Sequence, residues 1–223
     1  MRVPLFIEFS GRNVLVIGGG EVGTKRAKKF LEAGANVVVL SKEFSEELRQ
    51  LESEGKVMLV QVDLTEATSI QTLSFWITWA DLVVYTVPDD RLAMLVRSLC
   101  KIHRKLLNDA TSAEYTDVVI PMESKVDSIR IAVTTEGKSS ILAKVVLREL
   151  ARYIENNNEL RNYATTWFSV KDYLKRNVKD RKLRMRIYYE LSSDSVFNEL
   201  AKKSPEDALR YVYEKVKKLI EGS

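Results

Sequence analysis

The chain has 223 residues, 45% hydrophobic and 30% charged, with a formal net charge of +4. This is the composition of a globular chain, and no run reaches the roughly 18 apolar residues that a membrane-spanning helix needs. Cys100 is the single cysteine, which excludes an internal disulfide. Together with an N-terminus, MRVPLFIEFSGR, that has no apolar h-region or cleavage site, this predicts a cytoplasmic protein.

The elements follow in chain order. NVLVIGG, from Asn13, is a short aliphatic run ending in glycine and predicts a buried parallel strand. EVGTKRAKKFLEAGA predicts a helix with its stop at Gly34, and NVVVLS a second strand ending at Ser41. KEFSEELRQLESEGK predicts a short helix, VMLVQVDL a third strand, SIQTLSFWITWA a helix and DLVVYTV a fourth strand. PDDRLAMLVRSLCKIHRK predicts a helix with Pro88 in its first turn, and LLND a fifth strand. Strand and helix alternate, so the fold class is α/β with a parallel, Rossmann-type sheet covered on both faces.

The alternation then breaks. DVVIPMES and SIRIAVTTEG, joined by KVD, leave no room for a crossover helix and predict an antiparallel hairpin over Asp117–Thr135. A helix capped by serines starts near Ser139. The rest is helical, with a break at Asn156–Asn158 and a last helix opened by Ser204-Pro205 and running to Ser223. The expected organisation is a dinucleotide-binding domain over 1–112, a dimerisation region over 113–145 and a helical C-terminal domain over 146–223.

Gly18, Gly20 and Gly23 form G-x-G-x-x-G between a strand and a helix. In that context the first glycine serves the tight turn, the second lets a pyrophosphate approach the backbone, and the third lets helix and strand pack closely. The free N–H groups of the helix start would face the phosphates. Gly18, Gly19, Gly20, Glu21, Val22 and Gly23 are therefore the candidate cofactor-binding turn. An NAD-selective site usually places Asp or Glu at the end of the second strand. Here that end reads Ser41-Lys42, with Glu43 just beyond. Lys42 would suit a 2′-phosphate, whereas Ser41 or Glu43 would suit a 2′-hydroxyl, so position alone leaves NAD and NADP open. Thr86, past the fourth strand, should also lie near the cofactor.

These motifs carry a resemblance. Pro4-Leu5-Phe6, Gly11-Arg12, Gly18-Gly19-Gly20-Glu21-Val22, Lys25-Arg26 and Gly34-Ala35, then Thr86, Asn108, Pro121 and IAVTTEGKSSILAKVVLREL, are similar to the precorrin-2 dehydrogenases, the dehydrogenase module of siroheme synthases. The resemblance covers about residues 1–150. It implies oxidation of precorrin-2 to sirohydrochlorin with NAD⁺, a step of siroheme biosynthesis. Some members of the family also insert Fe²⁺ into the product. It further implies a homodimer whose interface includes the hairpin, and a two-stranded hairpin is not stable alone.

The family reads Asn-x-x-Asp near the fifth strand, where a base is expected. This chain has Asp109 directly after Asn108, and Thr111 at the family's acid position. Asp109 is the candidate catalytic base. The competing reading is an Asx-turn acceptor. Asp117 is the runner-up, with the start of the hairpin as its competing role. Asn108, Lys138 and Ser139 are placed as substrate contacts, and Ser139 would equally serve as a helix cap.

His103 is the single histidine. It reads as a surface residue near a helix end rather than a chelating base, and no cluster has the spacing of a permanent metal site. Eight Lys/Arg lie between Lys171 and Arg186. A solvated helical face is the simplest account, and attraction of the polycarboxylate substrate a second. The rival function class is an NAD(H)-sensing regulator whose basic helices bind nucleic acid. It calls for a base-reading helix-turn-helix that the tail does not display, so neither nucleic acid nor a membrane is expected as a partner.

Overall fold

The computed structural model describes residues 2–66 and 69–221, with side chains for all of these but 219–221. The chain divides into two compact units, 1–120 with 136–138, and 121–135 with 139–223.

The first unit is a five-stranded parallel sheet. Its strands are β1 (Asn13–Gly19), β2 (Asn36–Phe44), β3 (Met58–Gln61), β4 (Leu82–Tyr85) and β5 (Leu106–Asp109), in the order β3-β2-β1-β4-β5. Helices α1 (Glu21–Glu32), α2 (Glu46–Ser53), α3 (Ile70–Trp79) and α4 (Asp90–Ile102) connect them. The period-2 alternation of strand side chains sorts two cores. Leu15, Ile17, Val38, Leu40, Val83 and Tyr85 pack against Leu73, Ile77, Leu92, Val96 and Cys100 of α3 and α4. Val14, Val16, Val37, Val39, Leu82 and Val84 pack against Ala27, Phe30 and Leu48 of α1 and α2. Each such buried aliphatic contributes about 1.5–3 kcal/mol, which is why these strands read as unbroken apolar runs. The chain moves outward from β1 to β3 and then restarts at β4 on the other side of β1. This reversal opens a crevice at the carboxyl ends of β1 and β4, where open α/β sheets bind ligands.

Several local expectations are corrected. β2 does not end at Ser41 but runs to Phe44, with a register irregularity after Ile17↔Leu40 that brings Gly19 opposite Phe44. Val62 N donates to Ser41 O at 2.9 Å and Gln61 Nε2 to Lys42 O at 3.1 Å, which keeps the extension straight. The helix starts only after Ser45, whose Oγ accepts from Leu48 N. Pro88 precedes the cap of α4 rather than sitting in its first turn: Asp89 is the N-cap, accepting from Leu92 N at 2.9 Å. The hairpin is shorter than Asp117–Thr135. It comprises β6 (Met122–Val126) and β7 (Ile129–Val133), turned by Asp127-Ser128 with Asp127 at φ 52°. Val118 and Ile120 pack instead into the α1/α2 core of the first unit.

In the second unit the hairpin is joined by α5 (Ser140–Asn156), α6 (Asn158–Asn177), α7 (Arg181–Ser193), α8 (Ser195–Lys203) and α9 (Pro205–Glu221). Gly222 and Ser223 of the predicted tail lie outside the described residues. Asn157 ends α5 and caps α6, accepting from Leu160 N, so the predicted asparagine break is a cap shared by two helices. Val170, Leu174, Ile187, Leu191, Phe197, Ala201, Val212 and Val216 make the core. Tyr163 and Trp167 pack against it, whereas Phe168 stays exposed. Asp194 organises one end. It caps α8 at Val196 N and Phe197 N and accepts from Tyr211 Oη at 2.8 Å and Lys215 Nζ at 2.9 Å. Burial pushes its carboxyl up, but these donors outweigh burial and hold it at about 2.

Candidate functional site

The turn between β1 and α1 contains three closed glycines and one open one. Gly18 sits at φ 110°, a conformation side chains rarely adopt, and a Cβ there would overlap Thr86 Oγ1. A Cβ on Gly19 would overlap the carbonyl oxygen of Glu43, and one on Gly23 the carbonyl oxygen of Gly18. At Gly20 a Cβ would meet nothing within 4 Å. Gly20 is also the N-cap of α1 and makes no side-chain cap hydrogen bond, unlike the capped starts of α2, α4, α5, α6, α7 and α8. Three glycines thus let the turn close on its own protein, and the fourth leaves space before a helix start that has no capping side chain. That is the geometry a pyrophosphate requires. Glu21 and Val22 are exposed on the first turn of α1, with Glu21 paired to Lys25.

The walls of the turn are tied together. Thr86 Oγ1 donates to Ile17 O at 2.9 Å, linking β4 to β1. Thr24 Oγ1 donates to Gly20 O and lies 2.8 Å from Ser45 Oγ, while Ser45 N donates to Gly19 O at 3.0 Å. The starts of α1 and α2 are therefore joined through Thr24 and Ser45, neither of which the fingerprint singles out. Their sequence signal is a hydroxyl residue in the first turn of one helix and at the cap of the next.

The extension of β2 carries Ser41, Lys42 and Glu43 alongside this turn, because Gly19 faces the Glu43 carbonyl and lies opposite Phe44. Lys42 Nζ forms an ion pair with Asp63 Oδ2 at 2.9 Å, with the lysine side chain 72% and the aspartate 25% exposed. Thr65 donates to Asp63 Oδ1 through both its hydroxyl and its backbone N–H. The Thr65 and Lys42 hydrogen bonds hold the Asp63 carboxyl at about 2, and the bond to Asp63 raises the Lys42 ammonium above its usual range. Asp63 was not among the residues the sequence singled out, since it lies past the third strand rather than the second.

Asp109 ends β5 with a side chain of 0% exposure. Its Oδ2 accepts from Arg97 Nη2 at 2.6 Å and Arg97 Nε at 2.9 Å. Its Oδ1 accepts from Thr111 N at 2.9 Å, Thr111 Oγ1 at 2.7 Å and Ser112 N at 3.2 Å. Burial would raise this carboxyl, but the Thr111 and Arg97 hydrogen bonds outweigh burial and hold it below the usual carboxylate range. Arg97 also lies over the Tyr115 ring, 4.3 Å from its centroid. The arrangement is an Asx turn combined with a buried ion pair. Asn108 is buried: its Nδ2 donates to Val118 O at 2.7 Å and its Oδ1 has no partner. Asp117 is tied to the edge of β5, accepting from Leu107 N at 3.1 Å and donating its own N–H to Leu107 O.

Lys138 belongs to the first unit, to which the chain returns at 136–138. Glu136 and Gly137 both take positive φ, and a Cβ on Gly137 would overlap that of Ala113. Lys138 is thereby held beside the loop that follows Asp109. At Ser139 the chain re-enters the second unit, and Ser139 caps α5, accepting from Leu142 N at 3.1 Å. His103 caps the far end of α4, with Nε2 3.0 Å from Ser74 Oγ and Nδ1 3.3 Å from Thr78 Oγ1. It lies at the amino end of the sheet, away from the glycine turn. Burial pushes the Cys100 thiol up to about 12, so it is an inert core residue. The basic tract spans the end of α6 and the start of α7. Lys171, Lys175, Lys179, Arg181 and Lys182 are exposed there, and no cluster of three or more potential metal ligands occurs among the described residues. None of the described helices is long and apolar enough to cross a membrane.

Comparison with known proteins gives the same picture. Residues 5–122 match a family described as "Putative NAD(P)-binding". A "Putative precorrin-2 dehydrogenase" of Methanocaldococcus jannaschii is 30% identical over 202 residues, 90% of this chain and 95% of that one. A "Precorrin-2 dehydrogenase" of Methanosarcina barkeri is 29% identical over 88% of this chain and 85% of its own length. The solved structure of "SirC, precorrin-2 dehydrogenase" shares the fold with a TM-score of 0.69 over 96% of this chain and 100% of that one, at 20% identity. These relatives extend through the helical unit, and the regulator reading is not favoured. The chain belongs to the precorrin-2 dehydrogenase family, with an NAD(P)-binding domain over residues 5–122.

Proposed function

We propose that this protein oxidises precorrin-2 to sirohydrochlorin with NAD⁺. The observation that carries this reading is the glycine turn: Gly20 is open before a helix start without a capping side chain, while Gly18, Gly19 and Gly23 are closed against protein, in a chain whose relatives are named for that reaction. The bound coenzyme supplies a hydride acceptor. Gly18 to Gly23 hold the pyrophosphate, Ser41 and Glu43 meet the adenosine ribose, and Thr86 walls the crevice between β1 and β4. Two electrons leave the macrocycle as hydride and one proton goes to solvent or to a base.

We assign Asp109 a positioning role. Five hydrogen bonds and a lowered affinity for protons make it a weak proton acceptor, and it orients Arg97 toward Tyr115 instead. Lys138, set beside the 110–116 loop, is the cation offered to a substrate carboxylate. Anaerobic incubation with precorrin-2 and NAD⁺ is expected to yield NADH and sirohydrochlorin in equal amounts. Absence of NADH from protein that binds the coenzyme would overturn the reading. Addition of Fe²⁺ to the completed reaction reads the iron insertion that some family members perform.

The same reading includes a homodimer. α5 buries Ala143, Leu147 and Ala151 but leaves Leu142, Val146, Leu150 and Tyr153 exposed on an adjoining stripe. An apolar arc wider than the stripe buried within its own unit calls for further cover, and a second α5 is the cover we infer. Val146→Glu is expected to shift the mass measured by light scattering from dimer to monomer. A wild-type monomer at micromolar concentration would remove this part.

A further inference from the structure

In a dinucleotide fold the end of the second strand meets the adenosine ribose, and an acid there normally selects the 2′-hydroxyl. This chain has Lys42 at that place, which by itself would invite a 2′-phosphate. The end of β3 changes what that lysine can offer. Asp63 Oδ2 holds Lys42 Nζ at 2.9 Å, and Asp63 is itself fixed by two hydrogen bonds from Thr65. The backbone of Lys42 is pinned as well, its carbonyl taking Gln61 Nε2. Glu43 and Glu66 add to the negative field at the ammonium. Arg49, nearby in α2, is turned over the Phe44 ring, 5.8 Å from its centroid.

We infer that Asp63 is the residue that selects NAD over NADP, by engaging Lys42 and denying a 2′-phosphate its counter-charge. The inference rests on the coenzyme reading above and deepens it. The selecting acid is displaced from the second strand to the third and acts through a lysine. Because its lysine is largely exposed, the pair contributes little to stability. Its effect lies instead in the local charge, where a doubly charged phosphate meets an ammonium already matched by a carboxylate. The ribose 2′-hydroxyl of NAD carries no charge and is indifferent to that field.

The test is calorimetric titration of NADH and NADPH into the whole protein. Wild type is expected to bind NADH more tightly than NADPH. Asp63→Asn keeps an acceptor for the Thr65 turn but releases the Lys42 charge. It is expected to keep NADH affinity within about threefold and to gain about tenfold or more for NADPH, the scale of one surface charge contact. Asp63→Asn combined with Lys42→Ala is expected to lose that gain. An unchanged NADPH-to-NADH ratio in a variant that still binds NADH overturns the inference, as does a gain that survives removal of Lys42. Should the asparagine variant lose NADH as well, Asp63→Ser, which also retains an acceptor for Thr65, replaces it with the same expectations. Wild type that binds neither dinucleotide overturns the coenzyme reading itself, a result distinct from a failed change of preference.

Discussion

Gly23→Ala is expected to lose measurable NADH binding and to destabilise the first unit by about 3 kcal/mol, the upper end of what overpacking usually costs. The new methyl would overlap the carbonyl oxygen of Gly18. That atom is main chain at the end of a strand whose neighbours Val16 and Ile17 are fully buried, so it has no rotamer by which to yield. α1 must move away from β1, and the glycine turn opens with it. Gly20→Ala is the contrasting variant. Its methyl has open space and its φ of −78° suits alanine, so stability should change by about 1 kcal/mol or less, while NADH affinity is expected to fall at least about tenfold if, as we propose, the phosphate lies over Gly20. Urea denaturation and NADH titration on both variants check the pair. Equal loss of stability in the two would show that the turn is not built as described.

Asp109 gives the second large effect, and its two substitutions separate two roles. Asp109→Ala leaves Arg97 without its buried partner and the Thr111 and Ser112 N–H groups without their acceptor. The expected cost is about 3–5 kcal/mol, as for other half-broken buried pairs. Asp109→Asn keeps an oxygen for the Asx turn and removes only the charge. If Asp109 positions Arg97, kcat should fall less than about tenfold and the pH profile of kcat should keep its shape. A proton-accepting role would cost about 10²–10⁴ in rate with NADH binding intact, and that result would restore the base assignment. Stability against pH gives an independent reading. The folded carboxyl titrates below its unfolded value, so its contribution is complete above about pH 4, the range of a free aspartate, and disappears as pH falls through the folded value. The stability gap between wild type and Asp109→Asn should therefore narrow on acidification below that range. Chemical denaturation at a series of pH values measures it.

The fold was legible because its signals are local. Five aliphatic runs bounded by glycine or polar residues became β1 to β5, and LLND became a strand from Leu106 to Asp109 with no adjustment. Caps were legible for the same reason: Ser139 and Ser204 bind N–H groups three residues ahead. β2 was misjudged because what extends it lies elsewhere in the chain. Ser41 and Lys42 are held straight by Val62 and Gln61, twenty residues on, against a helical propensity that a local reading of KEFSEEL favours. The hairpin was overlong because VVI before Pro121 looks like any strand. Its burial against α1 and α2 depends on where the first unit ends.

The site divides along the same line. By itself the sequence determined the glycine turn between β1 and α1, since a turn this tight leaves no room for a Cβ at Gly18 or Gly23. It also determined the family, through motifs spread over the first two thirds of the chain. Only the tertiary structure decided what the charged groups do. Asp109 is enclosed by Arg97, Thr111 and Ser112, Lys42 is matched by Asp63, and Asn108 is turned onto Val118. Steric rules for backbone act between neighbours along the chain and can be read there. The behaviour of a charge is set by whatever surrounds it within a few ångströms, and folding alone brings those groups together.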